Sequence, residues 1–217
     1  MDPFFEILGK GGMMIIPLVV CSLLMLAVVI DRIIALRRSM IIKPEITSVI
    51  ESIGKPEDIG LAEEICKRNP GAYSNLVLSG LRYRELPKEE IKEAIQDQGR
   101  QEIRSLERGL NILETIAGIA PLLGLLGTVL GMIKVFTVIS EQGLGQTNAL
   151  AGGISEALIT TVVGLSIGIP ALVAYNYFSH KAEDLILDLE KYTGELIRKL
   201  VGFHHAGPRE EGLNGIR

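Results

Sequence analysis

The sequence contains no tryptophan, and aromatic residues make up only 5% of its 217 residues. Hydrophobic residues still account for 47% of the chain, which is an unusual combination for a soluble enzyme. The net charge of −4 is too small to indicate a strongly charged partner. The sequence also lacks a phosphate-binding loop, a metal-ligand cluster and a nucleophile–base pair. We therefore expect neither an enzyme nor a bound cofactor.

The chain has only two cysteines, and they lie in different environments. Cys21 is inside an apolar block and Cys66 is in a charged region, so no disulfide between them is expected. From Asp31 to Leu113 the chain carries 14 acidic and 14 basic residues. This balance is typical of solvated helices with ion pairs and not of a nucleic-acid-binding surface. We expect no nucleic-acid partner.

Three long runs have no formal charge. They comprise 20 residues from Gly11 to Ile30, 19 residues from Thr115 to Ile133, and 23 residues from Ala157 to Ser179. A bilayer core about 30 Å thick requires about 20 residues of helix, so each run is long enough to cross it. The runs predict three transmembrane helices, named TM1, TM2 and TM3 here, and a surrounding of membrane lipid.

The distribution of lysine and arginine predicts the orientation of these helices, because basic flanking residues stay in the cytoplasm. The 135–155 segment has no basic residue, and Lys10 is the only one before TM1. These two segments are predicted to be external, whereas the long 34–112 region and the C-terminal segment are predicted to be cytoplasmic. The basic residues that support this orientation are Arg32, Arg37, Arg38 and Lys43 after TM1, Arg100, Arg104 and Arg108 before TM2, and Lys181, Lys191, Arg198 and Lys199 after TM3.

Apolar residues at helical spacing extend TM2 and TM3 beyond the membrane. A stripe follows Pro87 and runs into TM2, predicting one helix from Pro87 to Ile139 if it is continuous, and a second stripe continues TM3. The fold class predicted is an all-α integral membrane protein with TM2 and TM3 extended into the cytoplasm as long helices. The predicted segments are an external N-terminus (1–11), TM1 (12–33), a cytoplasmic helical region (34–112), TM2 (113–139), an external loop (140–154), TM3 (155–179), a cytoplasmic helix (180–203) and a flexible tail (204–217).

Small residues recur at three- and four-residue steps in TM2 and TM3. Such faces allow helix backbones to approach closely in a membrane, so tight packing is the simplest interpretation of the glycines. The residues are Ala117, Ala120, Gly124, Gly127, Thr128 and Gly131 in TM2, and Ala157, Thr161, Gly164 and Gly168 in TM3.

Three polar residues near the start of TM3 allow more than one interpretation. Thr160 and Thr161 point about 100° apart on a helix, so we expect only Thr161 to share the small face, with Thr160 nearer to Glu156. A threonine inside a membrane can simply bond to a carbonyl one turn back. Glu156 is either a functional carboxylate at membrane depth or an interfacial residue whose charge favours the helix N-terminus. Both interpretations stay open from the residues alone.

Two motifs carry a resemblance to a known family. APLLGLLGTVLGMIKVF (120–136) and GISEALITTVVGLSIGIPALVAYNYF (153–178) resemble the ExbB/TolQ/MotA family of motor-type proton channels, and most closely its ExbB/TolQ branch. The resemblance covers TM2 and TM3 entirely. TM1 is similar to the first span of the family but also to many other membrane helices, and the region from Ile41 to Pro87 contains little that is typical of the family.

The resemblance implies a stator-like subunit of a complex that couples inward proton flow to mechanical work on the cell envelope or to outer-membrane transport. It implies a homopentamer in the bacterial inner membrane that encloses two copies of a single-span partner similar to ExbD or TolR. That partner supplies an intramembrane aspartate, and a TonB- or TolA-like protein is a further candidate partner. The transported ion is H⁺, with Na⁺ as the alternative. The proton-pathway residues implied are Thr128, Glu156 and Thr161, and the packing or pore-lining residues are Gly124, Gly127, Gly131, Gly164 and Gly168.

The sequence fits other functions less well. MotA-type stators have a fourth span, which disfavours a flagellar role. A non-conducting helical scaffold for a single-span partner is the principal alternative, and a small-solute transporter is disfavoured because inverted repeats and paired broken helices are not evident. The sequence does not separate an ExbB-like role from a TolQ-like role.

Overall fold

The computed structural model describes residues 12–52, 58–143 and 147–205, and within these ranges all regular secondary structure is helical. This confirms the predicted all-α fold. The predictions for residues 1–11 and for residues 206–217 of the tail lie outside the described ranges. The helices are α1 (Ile15–Ala35), α2 (Arg38–Ile41), α3 (Pro44–Ser52), α4 (Ile59–Arg68), α5 (Ala72–Arg82), α6 (Lys88–Glu107), α7 (Leu110–Gln142) and α8 (Thr147–His205).

Among the described residues, three helical stretches are long and apolar enough to cross a membrane. They are α1, the stretch that contains α7, and α8. The stretch that contains α7 and helix α8 each include one whole uncharged run, and α1 includes residues 15–30 of the first run, so the prediction of three candidate spans is confirmed. Helix α8 is 59 residues long, far more than the 20 or so that a bilayer requires. The prediction that TM3 continues as a long helix is therefore also confirmed.

The chain divides into two compact units, and unit 1 comprises Met1–Ile34 and Gly109–Ser179. Its described part contains α1, α7 and the first part of α8. These three helices share a small core, to which α1 contributes Leu18. Many other large apolar side chains of these helices are exposed, for example Leu122 and Val162. Such a surface is typical of helices that are surrounded by lipid and not by water. Besides Leu18, the buried residues of the core shared by α1, α7 and α8 are Ile116, Ala120, Ile167 and Ala171.

Unit 2 comprises Ala35–Arg108 and His180–Arg217, and it buries a conventional apolar core. Tyr73 of α5 is buried and its ring centroid lies 5.5 Å from that of Tyr192 on α8. Gly80 lies against the side chains of Leu196 and Leu200 on α8. Ion pairs such as Lys67–Glu63 lie on the surface, as the balanced charge of this region predicts.

Helix α6 begins directly after Pro87, as predicted, but it does not continue unbroken into α7. It ends at Glu107, and α7 begins at Leu110. Gly109 has a φ of 80°, a left-handed conformation that glycine adopts without the steric cost of a Cβ atom. The expectation of one continuous helix from Pro87 to Ile139 is therefore wrong. The apolar stripe hides the break, because Leu106 and Leu110 on either side of it are both buried.

The connection between α7 and α8 is short. Helix α7 extends to Gln142 and α8 begins at Thr147, so most of the 140–154 segment, predicted as an external loop, is helical. Glu156 is consequently in the third turn of α8. The interpretation of Glu156 as a charge at the helix N-terminus is wrong, because the dipole effect is confined to the first turn.

Candidate functional site

Helices α7 and α8 run antiparallel within unit 1 and touch along a seam of glycines. A Cβ atom placed on Gly124 would lie 2.9 Å from the carbonyl oxygen of Thr160. One placed on Gly164 would lie 2.6 Å from the carbonyl oxygen of Ala120. Both distances are too short for a carbon–oxygen contact, so the two backbones meet at a separation that only glycine permits at these positions.

The other predicted small residues also lie in this seam. Gly131 faces Ala157, Gly127 faces the side chain of Thr160, and Gly168 faces the ring of Pro121. The structure thus brings Gly124, Gly127, Gly131, Gly164 and Gly168 together along one contact between α7 and α8. We call this contact, with the threonines described next, the polar seam.

Thr128 of α7 and Thr161 of α8 meet at the centre of the polar seam. Their hydroxyl groups are hydrogen-bonded to each other, and both side chains are half-buried. The Thr128 hydroxyl also lies 3.1 Å from the carbonyl oxygen of Ala157 on α8. The Thr161 hydroxyl lies 3.2 Å from the carbonyl oxygen of Gly124 on α7. Each threonine therefore crosses the seam to the opposite helix.

This arrangement offers more acceptors than protons. Two hydroxyls carry two protons, but they have two carbonyl oxygens and each other as acceptors. Either Thr128 donates to Ala157 while Thr161 donates to Thr128, or Thr161 donates to Gly124 while Thr128 donates to Thr161. The pair can therefore form a hydrogen-bonded chain in either direction without moving its oxygen atoms.

Thr160 also lies in the seam, contrary to expectation. Its side chain is 1% exposed and packs against Gly127 of α7. Its hydroxyl donates to the carbonyl oxygen of Ala157 one turn back, at 2.8 Å. The expectation that only Thr161 would line the seam is wrong, because the helices are so close that an arc of more than 100° of α8 contacts α7.

Glu156 lies five residues before Thr161 on α8, towards the end of the seam at which α7 terminates. Its carboxylate accepts a hydrogen bond from the ammonium of Lys134 at 2.6 Å, and the Glu156 side chain is 21% exposed. The backbone of Gly12, which has a φ of 62°, approaches the same carboxylate so closely that any side chain at this position would collide with it. The carboxylate is therefore enclosed by one residue from α7 and one from the segment before α1.

Lys134 and Gly12 are not among the site residues that the sequence predicts. A signal for Lys134 was present, since it is the first charge after the TM2 run, and Glu156 is the last charge before the TM3 run. Consecutive antiparallel spans bring these two boundaries to the same end. Across the described residues, no cluster of three or more His, Cys, Asp or Glu side chains could hold a metal ion.

The chain was compared with known protein families. The model of the MotA/TolQ/ExbB proton channel family matches residues 70–191, which is more than half of the chain. The chain belongs to this family. The match contains the whole of α7 and the intramembrane part of α8, so the family membership that the two motifs predicted is confirmed.

Individual members of the family are also similar to this chain. A biopolymer transport protein ExbB of Aquifex aeolicus is 39% identical over 92 residues, covering 42% of this chain and 62% of the relative. An ExbB-like biopolymer transport protein of Synechocystis is 32% identical over 174 residues, covering 76% of this chain and 66% of the relative. The Tol-Pal system protein TolQ of Haemophilus influenzae is 37% identical over 106 residues, covering 47% of this chain and 46% of the relative. The matched part thus spans at most 66% of the length of these relatives.

Family membership and the three apolar helices together identify a membrane protein of a proton channel family. The polar seam lies within the matched residues. It combines close backbone contact with the hydroxyl groups of three threonines, and the Glu156 carboxylate lies towards one end of it.

Proposed function

We propose that this chain is the channel and stator subunit of an ion-motive-force-driven motor complex of the ExbB–ExbD or TolQ–TolR type. The observation that carries the proposal is the hydrogen-bonded pair of Thr128 and Thr161, which joins two helices inside runs that contain no formal charge. Polar groups inside a membrane span are costly unless they are paired, and they frequently mark an ion pathway.

The threonine pair supplies a surface on which a carboxylic acid can gain and lose a proton. A hydroxyl both donates and accepts, so it can hydrogen-bond an aspartate in its protonated and its ionised form. The reversible direction of the Thr128–Thr161 chain lets the pair follow this change without moving the helices. The aspartate comes from a single-span partner similar to ExbD or TolR, as the family resemblance implies, and Glu156 lies on the route by which protons reach it.

The proposal includes an assembly and an orientation. Five copies of the chain enclose two partner helices in the bacterial inner membrane, with 12–33, 113–139 and 155–179 as the spans. The N-terminus and the Glu156 end of the seam face the periplasm, and the C-terminus faces the cytoplasm, as the positions of the basic residues favour. Inward H⁺ flow then drives work on the cell envelope or outer-membrane transport, through a TonB- or TolA-like protein.

The test is proton flux through the complex in liposomes, measured with an internal pH dye under an imposed membrane potential. Thr128→Val and Thr161→Val keep the shape of the side chain and remove the hydroxyl. We expect each variant to lower the proton flux by about 100-fold. A positioned proton-transfer group changes a rate by about 100- to 10,000-fold, and the expected effect is the lower limit of this range. Thr128→Ser and Thr161→Ser keep the hydroxyl and serve as matched controls that should retain most of the flux. Wild-type flux in the correctly assembled valine variants would refute the role of the pair.

A passive scaffold is the second candidate. The observation that favours it is that all three threonine hydroxyls already contact carbonyl oxygens. Those of Thr128 and Thr161 do so across the seam, as expected of interhelical bonds that only hold helices together, and that of Thr160 does so within α8. The native mass of the complex co-expressed with its single-span partner tests the assembly. A complex of five chains and two partner copies that conducts no protons would support the scaffold, whereas the same complex with a proton flux would support the motor.

A further inference from the structure

The contact between Lys134 and Glu156 bears on which ion the complex carries. We propose that the Lys134 ammonium holds the place that a cation would take at the Glu156 carboxylate. It thereby excludes free Na⁺ from this end of the polar seam and makes the pathway selective for H⁺. This inference rests on the function proposed above. The Thr128 and Glu156 oxygens alone are suitable ligands for either ion, so the selectivity requires a group that distinguishes the two.

The geometry places the Lys134 ammonium directly on the Glu156 carboxylate. The Lys134 ammonium lies 2.6 Å from Glu156 Oε1, which is the distance of a charge-assisted hydrogen bond. The Glu156 side chain is only 21% exposed, whereas that of Lys134 is 59% exposed. The Gly12 backbone covers the carboxylate from another direction. A sodium ion would have to displace the ammonium to obtain a carboxylate ligand here.

The surrounding charges leave this role to Lys134. Helix α1 and the residues before it carry no charged side chain between Gly12 and Ile30, and α7 has none between Thr115 and Ile133. Within the described part of the chain, Lys134 thus provides the positive charge that balances Glu156. Removing one member of a partly buried ion pair leaves an uncompensated charge, which attracts another ion.

A proton does not need the set of coordinating oxygen atoms that Na⁺ needs. Sodium requires several oxygen ligands to replace its hydration shell, and a pathway without such a group of free oxygens is closed to it. A proton moves along hydrogen bonds, and the hydroxyl pair of Thr128 and Thr161 already forms such a connection. The Lys134 ammonium therefore blocks Na⁺, which needs coordinating oxygen atoms. It does not interrupt the hydrogen-bonded chain of Thr128 and Thr161, along which a proton moves.

The experiment uses the full complex with its single-span partner in liposomes. Radiotracer Na⁺ uptake and pH-dye H⁺ flux are measured for the wild type, Lys134→Met, Lys134→Arg and the double variant Lys134→Met/Glu156→Gln. We expect Na⁺ uptake by Lys134→Met to rise at least about fivefold over the wild type, which corresponds to about 1 kcal/mol. Lys134→Arg keeps the charge and should exclude Na⁺, and the double variant should lose the gain.

A second measurement does not depend on conduction. The thermal unfolding midpoint of the detergent-purified complex is compared in NaCl and in choline chloride, because a bound ion stabilises the folded state. Only Lys134→Met is expected to have a higher midpoint in Na⁺. Lys134→Gln replaces Lys134→Met in both measurements if the methionine variant does not assemble.

The outcomes separate this inference from the proposed function. Na⁺ uptake by the wild type, or a Lys134→Met variant that conducts H⁺ but neither takes up nor is stabilised by Na⁺, would overturn the inference while the motor function stands. A wild type that conducts neither ion, together with Na⁺-specific stabilisation of Lys134→Met, would support cation exclusion at Glu156 and refute the proposed conduction.

Discussion

The backbone contact at Gly164 yields a quantitative prediction for Gly164→Ala. The new Cβ atom would lie 2.6 Å from the carbonyl oxygen of Ala120 and 3.0 Å from the Cα atom of Gly124. Ordinary van der Waals contact begins near 3.4 Å, so α7 and α8 must separate by several tenths of an ångström at this point. Both contacted atoms belong to the backbone of α7, and a side-chain rotation cannot relieve the collision.

The expected cost follows from three contributions. Overpacking a close contact costs about 1–3 kcal/mol. The separation also stretches two interhelical bonds, the one between Thr128 and Thr161 and the carbonyl bond that completes the chain in either direction, and each bond of this kind contributes about 0.6 kcal/mol. Alanine has a higher helix propensity than glycine, and this difference offsets about 1 kcal/mol of the destabilisation. We therefore expect Gly164→Ala to be destabilised by about 1–3 kcal/mol, the sum of these contributions.

The assay is reversible unfolding in mixed micelles, followed by far-UV circular dichroism at one protein concentration. Gly152→Ala is the matched control on the same helix, because a Cβ atom there would meet nothing within 4 Å. This variant should be stabilised by up to about 1 kcal/mol through helix propensity alone. Equal stabilities of Gly164→Ala and Gly152→Ala would refute the close backbone contact at the polar seam.

Two further variants test other contacts. Gly127→Ala is expected to cost about 1–3 kcal/mol, because its Cβ atom would collide with the Thr160 side chain, and adding Thr160→Ala should recover part of this cost in a double-mutant cycle. Strictly additive costs would contradict the contact. In unit 2, burial raises the pKa of the Cys66 thiol from 9.0 to about 11, so its contribution to stability is complete below the unfolded pKa and is lost as the pH rises through the folded one. Unfolding measured from pH 8 to 11 should show this loss in the wild type and not in Cys66→Ala, and the same pH dependence in both would count against it.

The helical organisation could be predicted because it depends on local patterns. Runs of uncharged residues have the length of a bilayer crossing, and stripes at three- and four-residue spacing mark helices whatever they pack against. The break at Gly109 was missed for the same reason. An interruption of two residues leaves the apolar spacing almost unchanged, and only the positive φ of Gly109 reveals it.

The polar seam could be predicted in its composition but not in its contacts. Small residues at helical spacing identified the faces of α7 and α8 correctly, since close helix packing in a membrane requires them. The side-chain periodicity then placed Thr160 outside the seam, although it is 1% exposed within it. How wide an arc of a helix touches its neighbour depends on the distance between the two axes, and a helical wheel does not contain that distance.

The amino-acid sequence by itself determined the all-α class, the three candidate spans, the small faces and the resemblance to a proton channel family, because each of these follows from residue types and their spacing along the chain. Only the tertiary structure decided which groups meet across the seam. Thr128 reaches Thr161 over 33 positions and Lys134 reaches Glu156 over 22, and the close packing of α7 on α8 sets both contacts. The ion that a carboxylate holds depends on such distances between helices, and these arise only when the apolar and glycine faces pack.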